Sequence, residues 1–367
     1  MEQMTQMTRL MMDRAKDPMS ITDAVKMLEE GAKFRSFSDK LNAFAYGRDI
    51  RKVLTNGLVE NHPEAKYDAI DKKVRNWLNG RTQSVSKQDA FELCFVMGLN
   101  LEDSERFISM VTEEGIHWRD ASEIVLAYAL MNGKTYSEAQ ELLSRVPEDV
   151  LSAGGGNAAD EKTALIKNRA LGISGEEELF RFLSEAKASF GKFHNTAYRV
   201  FSDYMGMLES AGIEDGLIED KEMSVREILD SYLYRKSVPV TGKKNMLTEA
   251  QKAIRADWPD ETTLSRMKLR QADVTRKVLI LLFLATNGGD AEEDYDFDDD
   301  EELTKDEIFL DSVIRLNRML SECGYMKIDP RNRFDWMTMY AMCAEDVFDV
   351  DERFGDFLSS LFETGNE

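Results

Sequence analysis

Between Lys72 and Lys87 the chain carries five basic side chains, Lys72, Lys73, Arg75, Arg81 and Lys87, and no acidic one, within a whole whose formal charge is −22. On a helix Lys72, Arg75 and Asn76 fall at i, i+3 and i+4 and share a face. Arginine and asparagine make paired hydrogen bonds to guanine and adenine edges, so this face has the chemistry to read bases in a major groove. Lys73, Arg81 and Lys87 would hold phosphates, while Trp77 and Leu78 would turn to the core. The same charges also suit a solvated face that balances acidic surroundings. Arg266, Lys268, Arg270, Arg276 and Lys277, with the single acid Asp273 among them, form a second cationic stretch. It offers another nucleic-acid contact, or a partner for the chain's own carboxylates. Base reading requires that these cations not be locked against those carboxylates.

Other chemistry is sparse. From Asp290 to Glu302 ten of thirteen residues are acidic, a run that self-repulsion keeps extended as a loop unless a cation or basic surface neutralises it. Asp296, Asp298, Asp300 and Glu307 fit positions of a calcium loop, but Glu301 stands where the sharp turn needs glycine. Gly154-Gly155-Gly156 lacks the Lys-Ser/Thr pair of a phosphate-binding loop and reads as a connector. His62, His117 and His194 have no nucleophile-elbow partner, and Cys94, Cys323 and Cys343 sit among apolar neighbours. The expectation is a protein that is not an enzyme, with no cofactor, no metal and no disulfide framework.

The elements that must position these residues are helices. Only 6 prolines interrupt 367 residues, so the fold is expected to be mainly α and multidomain. Ser137 to Gln140, Ser174 to Glu177, Ser224 to Glu227 and Thr304 to Glu307 have the spacing of capping boxes. Gly31, Gly98, Gly133 and Gly288 follow apolar-periodic stretches and mark helix ends. The breaks divide the chain into amphipathic helices over 1–35, a helical domain over 36–150, a central aromatic-rich segment over 151–240, and a second domain over 241–367. The longest apolar run, Val278 to Ala285, is far shorter than a membrane span of about 20 residues. A cytoplasmic location and no membrane partner are expected.

Two distant stretches match in order. Val85-Ser86-Lys87 before Ala90-Phe91 lays over Val274-Thr275-Arg276 before Leu279-Ile280, each a hydroxyl cap, a basic first turn and an apolar helix. Met110 to Gly115 resembles Met319 to Gly324, and Tyr128-Ala129 resembles Tyr340-Ala341, as in an internal repeat. Val74-Arg75-Asn76-Trp77-Leu78-Asn79-Gly80-Arg81, followed by Val85-Ser86-Lys87 and Ala90 to Leu99, resembles helices three and four of the lambda-repressor/Cro helix-turn-helix family over about residues 70–100. A degenerate second copy covers about 263–288. Asn61-His62-Pro63-Glu64 departs from the family where its second helix and tight turn belong, Asp71 would face phosphate with like charge, and Leu269 stands where the first copy has Gly80.

The resemblance implies a DNA-binding regulatory protein with double-stranded DNA as partner. In that reading Arg75 and Asn76 take base edges, Lys72, Lys73, Arg81 and Lys87 lie along the duplex, and Arg266, Lys268 and Arg270 form a second surface. The alternative is a non-catalytic acidic scaffold, or nucleic-acid mimic, that binds a basic protein.

Overall fold

The computed structural model describes residues 6–16, 19–30, 34–81, 85–152, 163–214, 223–239, 247–286, 304–344 and 349–363, without the side chains of 211–214. Among them the regular elements are helical, and the β contact is an isolated antiparallel bridge between Glu114 and Tyr325. The fold is mainly α, as the scarcity of proline allows. The glycine triplet, the acidic run 290–302, Gly31 and Gly288 lie outside the described residues.

The chain divides into two compact units, one nested in the other along the sequence. The nested unit is Arg35–His194 with Gly324–Met326; the flanking unit is Met1–Phe34, Asn195–Cys323 and Lys327–Glu367. Helices α1 (Gln6–Lys16) and α2 (Ile21–Glu29) belong to the flanking unit. The nested unit then holds α3 (Phe37–Ala43), α4 (Ile50–Asn61), α5 (Tyr67–Leu78), α6 (Lys87–Met97), α7 (Leu101–Thr112), α8 (Ala121–Met131), α9 (Tyr136–Ser144), α10 (Glu148–Leu151), α11 (Thr163–Leu171) and α12 (Glu176–Glu185). The flanking unit resumes with α13 (Asn195–Glu214), α14 (Val225–Ser231), α15 (Glu249–Arg255), α16 (Glu261–Lys268), α17 (Arg276–Ala285), α18 (Lys305–Glu322), α19 (Arg333–Met342) and α20 (Val350–Glu363). The nested unit continues beyond residue 150 to His194, because α11 and α12 bury Ile166, Ala170, Leu179 and Leu183 in its core and pack on α8. Residues of α1 close the flanking core instead, where Trp336 Nε1 donates to the Met11 carbonyl at 3.0 Å.

Local caps explain most helix ends. Ser224 with Glu227 and Thr304 with Glu307 form reciprocal capping boxes, and Gly98 ends α6 at φ 64° in the left-handed region. Two expectations are corrected. The box opening α9 is Thr135 with Glu138, two residues before Ser137. Ser174 bonds Glu178 rather than Glu177, and Gly175 occupies the N-cap of α12.

The matched stretches share more than caps. Ser86 caps α6 and Thr275 caps α17, each accepting from the backbone three residues on. In the nested unit α3 packs on α5, α6 on α7, α7 on α8 and α8 on α9; in the flanking unit the succession is α14 on α16, α17 on α18, α18 on α19 and α19 on α20. A polar anchor also recurs. Lys87, first in α6, meets Glu123, third in α8, at 2.9 Å, and Glu123 accepts the His117 backbone N–H at 2.6 Å. Arg276, first in α17, makes two 2.8 Å bonds to Asp335, third in α19, which accepts the Asp329 N–H at 2.8 Å.

Candidate nucleic-acid interface

The base-reading residues stand on α5, and its sequence dictates which side faces water. Ile70, Val74 and Trp77 recur at helical spacing and are buried, with Trp77 edge-on to Phe37 at 6.1 Å. The opposite side then carries Lys72 and Arg75 exposed and Asn76 half-buried, with Lys73 exposed on the flank beside Trp77. At the end of the helix Gly80 adopts φ 69°, and the Arg81 N–H bonds the Asn76 carbonyl at 3.0 Å. A positive φ suits glycine because it has no Cβ to clash.

The position at which Asn61-His62-Pro63-Glu64 departs from the family is the end of a helix. Helix α4 precedes the turn and packs on both α5 and α6. Its Gly57 lies against α6 so closely that a Cβ would fall 2.6 Å from Val96 Cγ1. The turn itself is tied down by Glu92 of α6, a carboxylate only 5% exposed. It accepts from Asn61 Nδ2 at 3.0 Å and meets His62 Nε2 at 2.8 Å. A helix, a fixed turn and a second helix with an open outer face are thus present.

The cations on this face are not alone. Asp71 of α5 accepts from Arg51 of α4 through Nε at 3.1 Å and Nη2 at 2.8 and 3.0 Å, and meets Arg75 Nε at 3.0 Å. Hydrogen bonding by Arg51, then the nearby guanidinium charges, hold the Asp71 carboxyl below the usual carboxylate range. Lys73 reaches Asp89 at 2.9 Å and lies over the Trp77 ring. Burial pushes the Asp89 carboxyl up, but the bonds from Lys73 and Ser86 outweigh it and leave the carboxyl below its ordinary value.

Burial decides which pairs matter. Arg75 and Lys73 side chains remain 52% and 48% exposed, and water screens such pairs so that each adds little to stability. Lys87 is different. It is held between Glu114 at 3.4 Å and Glu123 at 2.9 Å, and burial raises the Glu123 carboxyl against the lowering effect of Lys87. That lysine is part of the repeated anchor and leaves the expected contact set.

The second copy keeps fewer cations for a ligand. Lys268 pairs with Glu209 at 2.6 Å, and Arg270 donates to Asn195 and stacks over the Tyr198 ring at 4.5 Å. Arg266 Nη2 donates to the Gln271 carbonyl at 3.3 Å, and Arg276 is buried on Asp335. Where the first copy turns at Gly80, this one places positive φ on Arg270, at 53°. Arg266 thus holds its own turn, while Lys268 and Arg270 are drawn to α13 and Arg276 to α19.

No protein family, curated protein or solved structure matches this chain. The site therefore rests on its own geometry. Among the described residues no group of three or more His, Cys, Asp or Glu side chains could hold a metal, and no helix is long and apolar enough to cross a membrane. Asp296, Asp298 and Asp300 of the calcium-loop pattern lie outside the described residues. Sequence reasoning missed Arg51, whose link to Asp71 spans twenty positions and carries no short-range signal.

Proposed function

We propose that the chain is a DNA-binding regulatory protein of helix-turn-helix type, acting through α5 of the nested unit. One observation carries this reading: α4 and α5 pack across a pinned turn and leave Lys72, Arg75 and Asn76 together on the open side of α5, with Lys73 exposed at its edge. Inserted in a major groove, Arg75 and Asn76 take base edges, while Lys72, Lys73 and Arg81 meet phosphates. Phosphate oxygens compete readily for cations whose protein partners are solvent-screened. Lys87 is left out because Glu114 and Glu123 clamp it with its side chain only 21% exposed, and Lys268 and Arg270 because their turn places positive φ on Arg270, which Asn195 and Tyr198 hold.

A second reading has its own support. The pairing of Lys73 and Arg75 with carboxylates, in a chain of charge −22, favours a non-catalytic acidic scaffold that binds a basic protein. Fluorescence anisotropy of labelled mixed-sequence duplex with the full chain separates the two. Joint Lys72→Ala and Arg75→Ala replacement should weaken binding roughly tenfold or more, whereas joint Arg266→Ala and Lys268→Ala replacement should leave it unchanged. Failure of the unmodified chain to bind duplex at low salt would sink the DNA reading in favour of the scaffold.

A further inference from the structure

We infer that Asp71 is a positioning residue: its carboxylate, bracketed by Arg51, orients the Arg75 guanidinium for a guanine edge. This rests on the DNA-binding reading above. An acid in a DNA-contacting face is a liability, since it repels phosphate. Here the liability is offset, because two guanidinium groups surround one carboxylate and the trio keeps a net charge of +1.

The geometry explains what the acid does. Arg51 grips Asp71 through three hydrogen bonds from a different helix, and the Asp71 side chain is only 15% exposed. Its place is therefore set by α4–α5 packing rather than by its own rotamers. Arg75, one turn further along α5, meets that fixed carboxylate through Nε at 3.0 Å. Four of the five guanidinium N–H donors sit on the two terminal nitrogens, so an Nε contact leaves the group able to serve a guanine O6 and N7 together. A long flexible side chain anchored at Nε loses less freedom when it docks, and a planar donor held at one angle discriminates more sharply than a mobile one. Lys73 does not compete for Asp71, because it is drawn to Asp89.

The test is selection by the full chain from a pool of duplexes with a randomised central stretch, followed by sequencing. The unmodified chain should enrich guanine at one position by roughly ten- to hundredfold, and Arg75→Ala should abolish that preference. Asp71→Asn should lose the same preference while binding the pool at least as tightly. Asp68→Asn removes an equal charge one turn earlier, and should raise affinity for every sequence alike without changing the preference. Helix content and melting temperature of each variant are read in parallel. Should Asp71→Asn fail to fold, Arg51→Lys keeps the charge but loses the bracket, and must reduce the preference itself.

Retention of the guanine preference by a folded Asp71→Asn chain, with Arg75→Ala losing it, overturns the positioning role and leaves the DNA reading intact. Retention by Arg75→Ala also overturns it, since Arg75 is then not the reader. No binding of the unmodified chain to the pool overturns the DNA reading itself, and the inference with it.

Discussion

Identical ion-pair chemistry has opposite consequences at different depths in this protein. Arg276 and Asp335 are 3% and 0% exposed and joined by two 2.8 Å bonds, so removal of one partner strands a charge away from water. Arg276→Ala should therefore cost about 3–5 kcal/mol in urea unfolding, whereas Arg75→Ala, at a half-exposed pair, should barely move the midpoint. His117 makes a second residue-scale case. It stacks on His194 at 4.2 Å, and burial first, then the charges of His194, Lys87 and Arg119, drive its imidazole down to about 2. The folded value lies below the unfolded one of 6.5, so above that pH both states are neutral and nothing is lost. As pH falls below it the unfolded chain takes a proton the folded chain refuses, and stability drops by about 1.4 kcal/mol per pH unit. Between about pH 7 and about pH 5 this one group should remove roughly 2 kcal/mol. Urea midpoints of the unmodified chain and His117→Phe, compared at both ends of that window, check it: the variant should lose less on acidification.

Helix-scale contacts show where local rules suffice and where they stop. Gly57 in the middle of α4 looks like a helix breaker, yet it is the point at which α4 meets Val96 of α6, 2.6 Å from where a Cβ would sit. Gly57→Ala gains helix propensity but drives a methyl into a β-branched side chain that cannot rotate away. A net loss of about 1–2 kcal/mol is expected, and Val96→Ala in the same chain should recover most of it; thermal melting of the single and double variants reads both. Helices α6 and α17 are legible without coordinates, because Ser86 and Thr275 are hydroxyl caps directly before an apolar run. The start of α9 is not, because Thr135-Glu138 and Ser137-Gln140 both have the box spacing and only the burial of Ala139 and Leu142 selects the first. Helix α4 escapes a reading of short patterns for a related reason: what makes it a helix partner is packing on α5 and α6. The face of α5 is legible from spacing alone, through Ile70, Val74 and Trp77. The pairing of Arg75 is legible too, since Asp71 stands four residues before it on the same helix, whereas that of Lys73 is not, because Asp89 reaches it from α6 across a turn.

At the scale of the whole chain, a charge of −22 acts on folding and on duplex binding with opposite sign. Added monovalent salt screens self-repulsion among the carboxylates, so the melting temperature should rise with ionic strength. The same salt restores counterions to DNA, so affinity should fall, with a log–log slope of about −0.9 for each phosphate neutralised. Lys72, Lys73 and Arg81 alone on phosphates give a slope of about −3, whereas recruiting Lys87, Arg266, Lys268 and Arg270 as well would give about −6. The shallower value is expected, because Lys87 is clamped between Glu114 and Glu123 and the second-copy cations bond Glu209, Asn195 and Gln271. Measured on the full chain, a slope near −6 would mean that these internal bonds open on binding and that both copies touch the duplex. A slope near zero with weak binding would point away from phosphate contact altogether, toward a surface whose carboxylates meet a basic protein. In that case the rise in melting temperature with salt persists, since it depends on the chain's own charge and not on its ligand.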